Sequence, residues 1–141
     1  MKSTMRIRMR APVELVFALA ADVERWPQLL PHYRYVRRLP SSNGERRFAM
    51  GARRGLIPVR WEAIQRPGPA GRMIQFTHVR GLTRGMEVAW RLEPIGDAVE
   101  VSIDHELRTG WPLMGRVVAS FVEAIAGRTL GRIKVLAEAD R

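Results

Sequence analysis

A chain of 141 residues fits a single domain, because a domain of that size already buries about two thirds of the surface of its unfolded chain. Its apolar runs are too short to cross a bilayer, and the absence of cysteine excludes disulfides, thiolate nucleophiles and most structural zinc sites. The 24 basic residues outnumber the 14 acidic ones, so we expect one positively charged domain over residues 1–141 that attracts anionic partners.

The first residues of the chain, MKSTMRIRMR, alternate apolar and basic side chains. This alternation predicts a β-strand. The segment lacks the continuous apolar stretch of a signal peptide, and a cytoplasmic location is therefore expected.

Residues 11–36 predict two short helices followed by a strand. Pro12 suits the first helical position, because its missing N–H would have no intrahelical partner there. Apolar side chains then repeat at helical spacing at Val13, Val16, Phe17 and Ala20. We expect this segment to form the mouth of a ligand cavity.

The second short helix of this segment has signals at both of its ends. Asp22 can cap its start, and its body carries Trp26 and Leu30. Pro27 and Pro31 keep either helix from growing long. The prediction is therefore of two short helices joined at an angle.

The middle of the chain is divided by turn signals. They occur at Asn43-Gly44, Arg54-Gly55, Pro67-Gly68-Pro69, Gly81 to Gly85, and Gly96-Asp97. Each segment between them is short, alternates with period two and is rich in β-branched and aromatic residues, which favours an antiparallel meander. With the N-terminal strand, about seven strands are predicted.

Two of these segments show a clear apolar face opposite a charged one, which indicates a sheet covered on one side only. The apolar faces comprise Met86, Val88, Trp90 and Leu92, and then Val99, Val101, Ile103, His105 and Leu107.

The segment at residues 73–79 is ambiguous, because Ile74, Phe76 and His78 compete with Met73, Thr77 and Val79 for the inward side. If His78 faces inward, the turn positions predict that it pairs with Val88 and that Val88 pairs with His105. The two imidazoles would then lie roughly 10 Å apart, too far for a shared metal ion.

The last segment predicts one long helix from near Pro112 to about Ala139, which at about 1.5 Å per residue reaches roughly 40 Å. Gly127 and Gly131 lie one turn apart in it and indicate a close approach or a bend. Apolar residues at helical spacing are Met114, Val118, Phe121, Ile125, Ile133 and Leu136. The element order is that of an α+β helix-grip fold, in which a curved seven-stranded antiparallel sheet wraps a helix around a cavity.

Several motifs carry a family resemblance: APVELVF, the passage ADVERWPQLLPHYRYV, Trp61 ahead of a turn, GMEVAWRLEP, and GRTLGRIKVLAEAD. On these, nearly the whole chain resembles the polyketide cyclase/dehydrase group of the START and Bet v 1-like (SRPBCC) superfamily, and within it the bacterial polyketide aromatase/cyclases. The resemblance implies a helix-grip fold whose cavity, open toward the short-helix pair, takes an elongated, mostly apolar molecule. In the aromatase/cyclases that cavity folds a carrier-tethered polyketide for aldol ring closure and dehydration.

The resemblance extends to individual cavity residues, with one departure. The group's tyrosine after the WP motif falls at Tyr33, and its strand tryptophan falls at Trp61. The group's cavity arginine falls at Gln65, while Arg66 beside it is expected on the opposite face of the strand. A glutamine donates only a neutral hydrogen bond, whereas an arginine would hold an enolate with a permanent charge.

Cyclisation of a poly-ketone needs a site that excludes water, groups that polarise carbonyls, and an acid or base that shuttles protons. The candidate catalytic residues are Tyr33 and His105 as proton donors or acceptors and Gln65 as a carbonyl partner. A histidine on an apolar strand face is more often a hydrogen-bonded wall residue, and Tyr33 is equally well explained by packing under the short helices. His32, beside Pro31, is interpreted as a surface residue.

The candidate ligand-binding residues lie on the predicted inward faces, where core packing and ligand lining overlap. They are Trp26, Leu30, Trp61, Phe76, His78, Val88, Trp90, Ile103, Met114, Val118, Phe121, Val122 and Ile125. No metal site and no cofactor are predicted, since the three histidines lack metal-ligand spacing and the chain has no glycine-rich phosphate loop and no G-x-S-x-G elbow.

The basic excess is almost wholly arginine, because Lys2 and Lys134 are the only lysines. The arginines are scattered along the predicted strands, often beside acidic residues. This pattern favours cross-strand ion pairs on a solvated sheet face over a nucleic-acid footprint. The acidic residues concerned are Glu62, Glu87, Glu93, Glu100, Asp104 and Glu106.

Together these features predict a domain that binds a small-to-medium hydrophobic molecule and, if it is an enzyme, cyclises or dehydrates a polyketide-type substrate. An acyl carrier protein or an anionic membrane surface is then the expected macromolecular partner. A non-enzymatic lipid or quinone carrier, similar to the coenzyme Q-binding group, is one alternative. A ribosome-associated regulator, similar to the toxin members of that group, is another and weaker one.

Overall fold

The structure is a computed structural model that describes residues 1–41, 45–68, 71–108 and 112–139. In these ranges the chain forms a seven-stranded antiparallel sheet, two short helices and one long helix. The strands are β1 Lys2–Met9, β2 Tyr33–Leu39, β3 Arg46–Arg54, β4 Ile57–Pro67, β5 Met73–Gly81, β6 Glu87–Ile95 and β7 Ala98–Glu106. The helices are α1 Val13–Ala21, α2 Trp26–Leu29 and α3 Pro112–Glu138, with a 3₁₀ turn at Val23–Arg25 before α2.

The sheet has the order β1-β7-β6-β5-β4-β3-β2. Strands β2 to β7 pair with their neighbours in the chain, and β1 pairs with β7, with Lys2 opposite Glu106 and Met9 opposite Val99. The predicted α+β helix-grip arrangement is therefore confirmed. The predicted turn at Asn43-Gly44 lies outside the described residues, as does Pro69 of the turn between β4 and β5.

The core lies between α3 and one face of the sheet. Val101 and Ile103 of β7 and Val118 and Ile133 of α3 are almost fully buried there. A Cβ atom added to Gly127 would lie 3.2 Å from the Cε methyl of Met5, so the predicted close approach at this glycine is confirmed and brings α3 against β1. The inward faces predicted for β6 and β7 are also confirmed by burial.

Both predicted helix starts near the short helices need correction. The carbonyl of Pro12 accepts hydrogen bonds from the N–H groups of Leu15 and Val16, and Pro12 has extended backbone angles, so it precedes the helix as its N-cap. Asp22 makes no side-chain capping bond. Its N–H donates to the carbonyl of Ala18, so Asp22 is the residue that ends α1. It also comes directly before the 3₁₀ turn.

The alternation of β5 is settled in favour of Ile74, Phe76 and His78, which are buried. The predicted pairing of His78 with Val88 is wrong, because the loop between β5 and β6 sets a register that differs from the predicted one by two residues. The N–H of Gly85 donates to the carbonyl of His78, and Phe76 is the residue opposite Val88. The predicted pairing of Val88 with His105 is confirmed.

The outer face of the sheet is charged, as predicted. Arg47 and Arg80 both pair with Glu62, at 3.0 and 3.6 Å, and Arg91 pairs with Asp104. These partly exposed pairs each contribute at most about 1 kcal/mol, and they place the arginines of these strands on a solvated face. Within the described part of the chain, no helix combines the length and the apolar character needed to cross a membrane.

Candidate ligand-binding cavity

A cavity of about 80 Å³ lies between the inner face of the sheet and α3. It is smaller than the roughly 300–1,000 Å³ of typical small-molecule pockets, because aromatic rings from both layers project into it. The lining residues are Trp26, Tyr33, Met50, Val59, Trp61, Phe76, His78, Thr83, Met86, Val88, Trp90, Ile103, His105, Phe121, Val122, Ile125, Ala126 and Thr129. Apolar surface dominates this lining, and none of the described residues that form it is an arginine or a lysine.

Most residues predicted from the sequence to line a cavity do so, but three of the predicted ligand-binding residues do not. Leu30 and Val118 are almost fully buried in the core away from the cavity, and Met114 is exposed near the start of α3. The sequence reasoning missed six lining residues, namely Met50, Val59, Thr83, Met86, Ala126 and Thr129. Helical spacing could have found the last two, since they lie four residues after Val122 and Ile125.

Gln65 is buried but is not among the cavity-lining residues, so its predicted position opposite a substrate carbonyl is wrong. Its Nε2 donates to the main-chain carbonyl of Ala21 at 2.8 Å. The side chain therefore joins β4 to the C-terminal end of α1, where helix carbonyls lack intrahelical partners. Arg66 is exposed on the outer face, as predicted, and contacts Thr77 and Glu45.

His78 forms one wall of the cavity. Its ring stacks on Trp61, with the ring centroids 5.5 Å apart and the planes 3° from parallel. Its Nδ1 lies 2.7 Å from Oγ1 of Thr83. Burial, assisted by the nearby imidazole of His105, lowers the pKa of His78 to about 3, so the ring is neutral at neutral pH.

His105 forms the neighbouring part of the wall, opposite Val88 of β6 and Ser3 of β1. Its Nδ1 is buried and has no hydrogen-bond partner in the part of the chain that the structure describes. Burial lowers the pKa of His105 to about 4, although the carboxylate of Asp104 acts in the opposite direction. A neutral imidazole with a free ring nitrogen therefore lines an apolar cavity.

Tyr33 packs edge-on against two tryptophans, with ring centroids 4.9 Å from Trp26 and 6.0 Å from Trp61. Burial raises the pKa of its hydroxyl well above the ordinary value of 10. The hydroxyl is therefore a proton donor that stays protonated at neutral pH.

His32 is buried beside Tyr33, so its interpretation as a surface residue is wrong. The pairing of β2 with β3 is irregular between Tyr33 and Tyr35, and His32 and Tyr33 both lie inside with ring centroids 4.9 Å apart. Nε2 of His32 lies 2.9 Å from Oγ1 of Thr129, which donates its own hydrogen to the carbonyl of Ile125. His32 therefore carries a hydrogen on Nε2 and donates it to Thr129.

The cavity mouth consists of Val59, Trp61 and Phe121, which are the lining residues that are partly exposed. Toward the short helices, where the opening is predicted, the lining residues Trp26 and Tyr33 are buried. The 3₁₀ turn and α2 close that side, and the indole N–H of Trp26 donates to the carbonyl at position 19.

The described residues contain no group of three or more histidine, aspartate or glutamate side chains that could hold a metal ion. The polar groups of the cavity are instead two neutral imidazoles, one phenol and two threonine hydroxyls. Such a set can donate and accept hydrogen bonds and protons but supplies no permanent charge.

Comparison with known proteins agrees with this architecture. The family model described as polyketide cyclase / dehydrase and lipid transport matches residues 9–134. The granaticin polyketide synthase bifunctional cyclase/dehydratase of Streptomyces violaceoruber is 26% identical over 142 residues, which cover 97% of this chain and 44% of that protein. The chain therefore spans less than half the length of this curated relative.

Solved structures share the fold at low sequence identity. The Zhui aromatase/cyclase of Streptomyces sp. R1128 superposes with a TM-score of 0.81 at 17% identity, covering 98% of this chain and 93% of that one. A START superfamily protein of Mycobacterium smegmatis superposes with a TM-score of 0.75 at 17% identity, covering 96% and 98%. Since the family model spans most of its length, the chain belongs to the polyketide cyclase/dehydrase and lipid transport family.

Proposed function

We propose that the cavity binds one end of a mostly apolar molecule that carries a hydroxyl or carbonyl oxygen, and that His105 and Tyr33 form hydrogen bonds with that oxygen. The observation that carries this proposal is the free Nδ1 of His105, buried in an otherwise apolar wall. A buried polar atom without a partner costs about 1–3 kcal/mol, and a ligand hydroxyl or carbonyl would remove that cost.

The size of the cavity limits what it takes. At about 80 Å³ it has room for the end of a molecule, while the rest of a longer one would extend past the cavity mouth. Trp61 and Phe121 are partly exposed there, so they are the rings that a larger ligand would displace.

We further propose that the bound molecule is a polyketide-type substrate that the chain cyclises or dehydrates. The named activity of the granaticin relative, a cyclase/dehydratase, supports this, and so does the presence of a protonated phenol and a neutral imidazole in one cavity lining. Aldol closure and loss of water both need one group that donates a proton and one that accepts it. In ring closure His105 would accept the proton from the carbon that attacks, while Tyr33 would donate one to the oxygen of the carbonyl that is attacked. In the loss of water Tyr33 would donate to the departing hydroxyl, while His105 would accept a proton from the carbon next to it.

The lack of a cationic side chain in the lining favours a second candidate, a carrier that holds a lipid or quinone without reaction. A developing enolate would here be stabilised by neutral hydrogen bonds alone, which is weaker than stabilisation by an arginine. Binding and catalysis therefore need separate tests.

Binding can be followed with the protein's own fluorescence, because Trp26, Trp61 and Trp90 line the cavity. Titration with 1-hydroxy-2-acetonaphthone, a bicyclic hydroxy-ketone, should quench this fluorescence with saturation. His105→Phe and Tyr33→Phe should each weaken binding by about 3- to 10-fold, the value of one hydrogen bond. Gln75→Ala, on the exposed outer face of β5, is the control and should leave the affinity unchanged. Quenching without saturation, or equal affinity in all four proteins, would contradict the binding proposal.

Catalysis can be followed by the appearance of aromatic absorbance when a linear poly-β-ketone thioester is added. Tyr33→Phe should abolish the gain in rate over buffer, whereas Gln75→Ala should retain it. Saturable probe binding with no rate gain in the unaltered protein would leave the carrier as the better description.

A further inference from the structure

Exposed apolar side chains are concentrated at one end of the sheet. Of the eight large apolar residues that are exposed in the described part of the chain, six lie on three segments at this end. The other two, Ile95 and Val135, lie elsewhere. The six residues, called the apolar rim below, are Leu56 and Ile57 between β3 and β4, Leu82 between β5 and β6, and Leu113, Met114 and Val117 at the start of α3.

Strand pairing places the two loops at the same end. Arg54 is opposite Ile57 at the turn between β3 and β4, and Trp61 of β4 is opposite Gly81 at the end of β5. The antiparallel strands β6 and β7 bring Glu87 opposite Glu106, so β7 also finishes at this end.

The start of α3 lies against the first of these loops. The guanidinium of Arg54 lies 5.3 Å from the ring centroid of Phe121 and donates a hydrogen bond to the hydroxyl of Ser120. Val117 is one helical turn before Phe121, and Leu113 one turn before that. The three segments therefore surround the cavity mouth, which is formed by Val59, Trp61 and Phe121.

The same end of the molecule is positively charged. Residues 53–60, 81–86 and 112–122 contain no aspartate or glutamate, although Glu87 and Glu106 lie opposite each other beside them and Glu123 follows the last range. Six exposed arginines lie in or beside these segments, and none of them forms an ion pair among the described residues, whereas Arg47, Arg80 and Arg91 elsewhere on the sheet do. They are Arg53, Arg54, Arg60, Arg84, Arg108 and Arg116.

We propose that the apolar rim docks on the surface of a membrane that contains anionic lipids, with the cavity mouth facing the bilayer. Leu56, Leu82 and Leu113 are 94%, 62% and 72% exposed and stand on separate segments, so they project outward and do not line a groove that a partner helix would fill. This combination suits the boundary between lipid headgroups and acyl chains. There the projecting aliphatic side chains enter apolar surroundings, and the arginines meet the phosphates of the headgroups. Docking of this kind goes beyond ligand binding, since it gives the cavity a direct path to molecules dissolved in the membrane.

The test is flotation of the full chain with vesicles of phosphatidylcholine alone or with about one third phosphatidylglycerol, at about 0.1 M salt. We expect binding to the anionic vesicles that falls at least about tenfold at several times that salt concentration. The double variant Leu56→Ser with Leu82→Ser should weaken vesicle binding by at least about tenfold. Val135→Ser, at an apolar position outside the rim that is 55% exposed, should not.

A second pair of variants separates docking from general attraction to a basic protein. Arg84→Glu, in the loop that carries Leu82 of the rim, should reduce vesicle binding several-fold more than Arg6→Glu, which is exposed on the outer face of β1. All variants change exposed residues, and circular dichroism checks that each is folded. No binding to anionic vesicles, equal effects of the rim and control variants, or rim-dependent binding to an acidic acyl carrier protein in place of vesicles would each overturn the proposal.

Discussion

Acid should destabilise this protein over a defined pH range, because its three histidines are buried in the neutral form. Burial lowers the pKa of His78 to about 3 and that of His105 to about 4, and burial together with the charge of Arg128 lowers the pKa of His32. In the unfolded chain each histidine titrates near 6.5. Below that pH the unfolded chain takes up protons that the folded protein does not bind, so the free energy of unfolding falls as the pH decreases.

The size of the effect follows from the number of protons. Each neutral buried histidine contributes a slope of about 1.4 kcal/mol per pH unit between its folded and unfolded pKa values. For His78 and His105 together this amounts to about 4 kcal/mol between about pH 6.5 and 4.5, because the slope reaches its full value only once the histidines of the unfolded chain are fully protonated. His32 adds to it in the same direction. Against a typical domain stability of about 5–15 kcal/mol this is a large loss.

Urea denaturation followed by circular dichroism at several pH values in that range measures the slope. His105→Leu should reduce the slope by about 1.4 kcal/mol per pH unit, because one proton fewer is taken up on unfolding. Val88→Ala, directly opposite His105 in β6, is the matched control. It should lower the free energy of unfolding equally at every pH and leave the slope unchanged. An unchanged slope in His105→Leu would refute the reasoning.

Three further substitutions test individual contacts by urea denaturation at neutral pH. Gln65→Leu should destabilise the fold by about 1–3 kcal/mol, since it leaves a carbonyl at the end of α1 unpaired. It should not change the affinity for the naphthone probe, and a large loss of that affinity would mean that Gln65 reaches the ligand. Thr129→Val removes the acceptor of the His32 Nε2–H and should cost about 1–3 kcal/mol, while Thr129→Ser should cost clearly less; equal losses would contradict the hydrogen bond. Gly81→Ala should cost roughly 2–4 kcal/mol, because Gly81 has φ of +104° and the new Cβ would lie 2.6 Å from a carbonyl oxygen of β4. A neutral result there would mean that the turn adjusts freely.

The fold could be predicted from the sequence because its main signals are periodic. Alternation at Val88, Trp90 and Leu92 indicates a half-buried strand without reference to any other part of the chain, and the structure buries these residues as expected. Turn residues such as Gly55 separate one strand from the next, and this glycine has the positive φ that such turns need. Periodicity and turn chemistry together account for element order and sheet topology.

The site was harder to predict from the sequence, because the positions of its residues depend on local departures from regular strand periodicity. His32 lies in the turn before β2 and Tyr33 begins the strand, so the two consecutive buried residues stand where no alternation rule applies. The side-chain amide of Gln65 donates a hydrogen bond to a main-chain carbonyl 44 residues earlier in the chain, and strand spacing gives no sign of this contact. The pairing error at His78 has the same origin, since the length of a glycine-containing loop determines where a hairpin closes.

The placement of β1 beside β7 has a consequence for how the protein is made. Strands β2 to β7 can pair as successive hairpins while the ribosome is still adding residues, because each finds its partner just upstream. β1 is synthesised first but finds its partner only when β7 has emerged, about a hundred residues later, and the entropy of closing that loop is then lost in one step. Until then β1 has no partner strand, and Met5 and Ile7, which pack against the core in the folded protein, stay exposed to solvent and to chaperones.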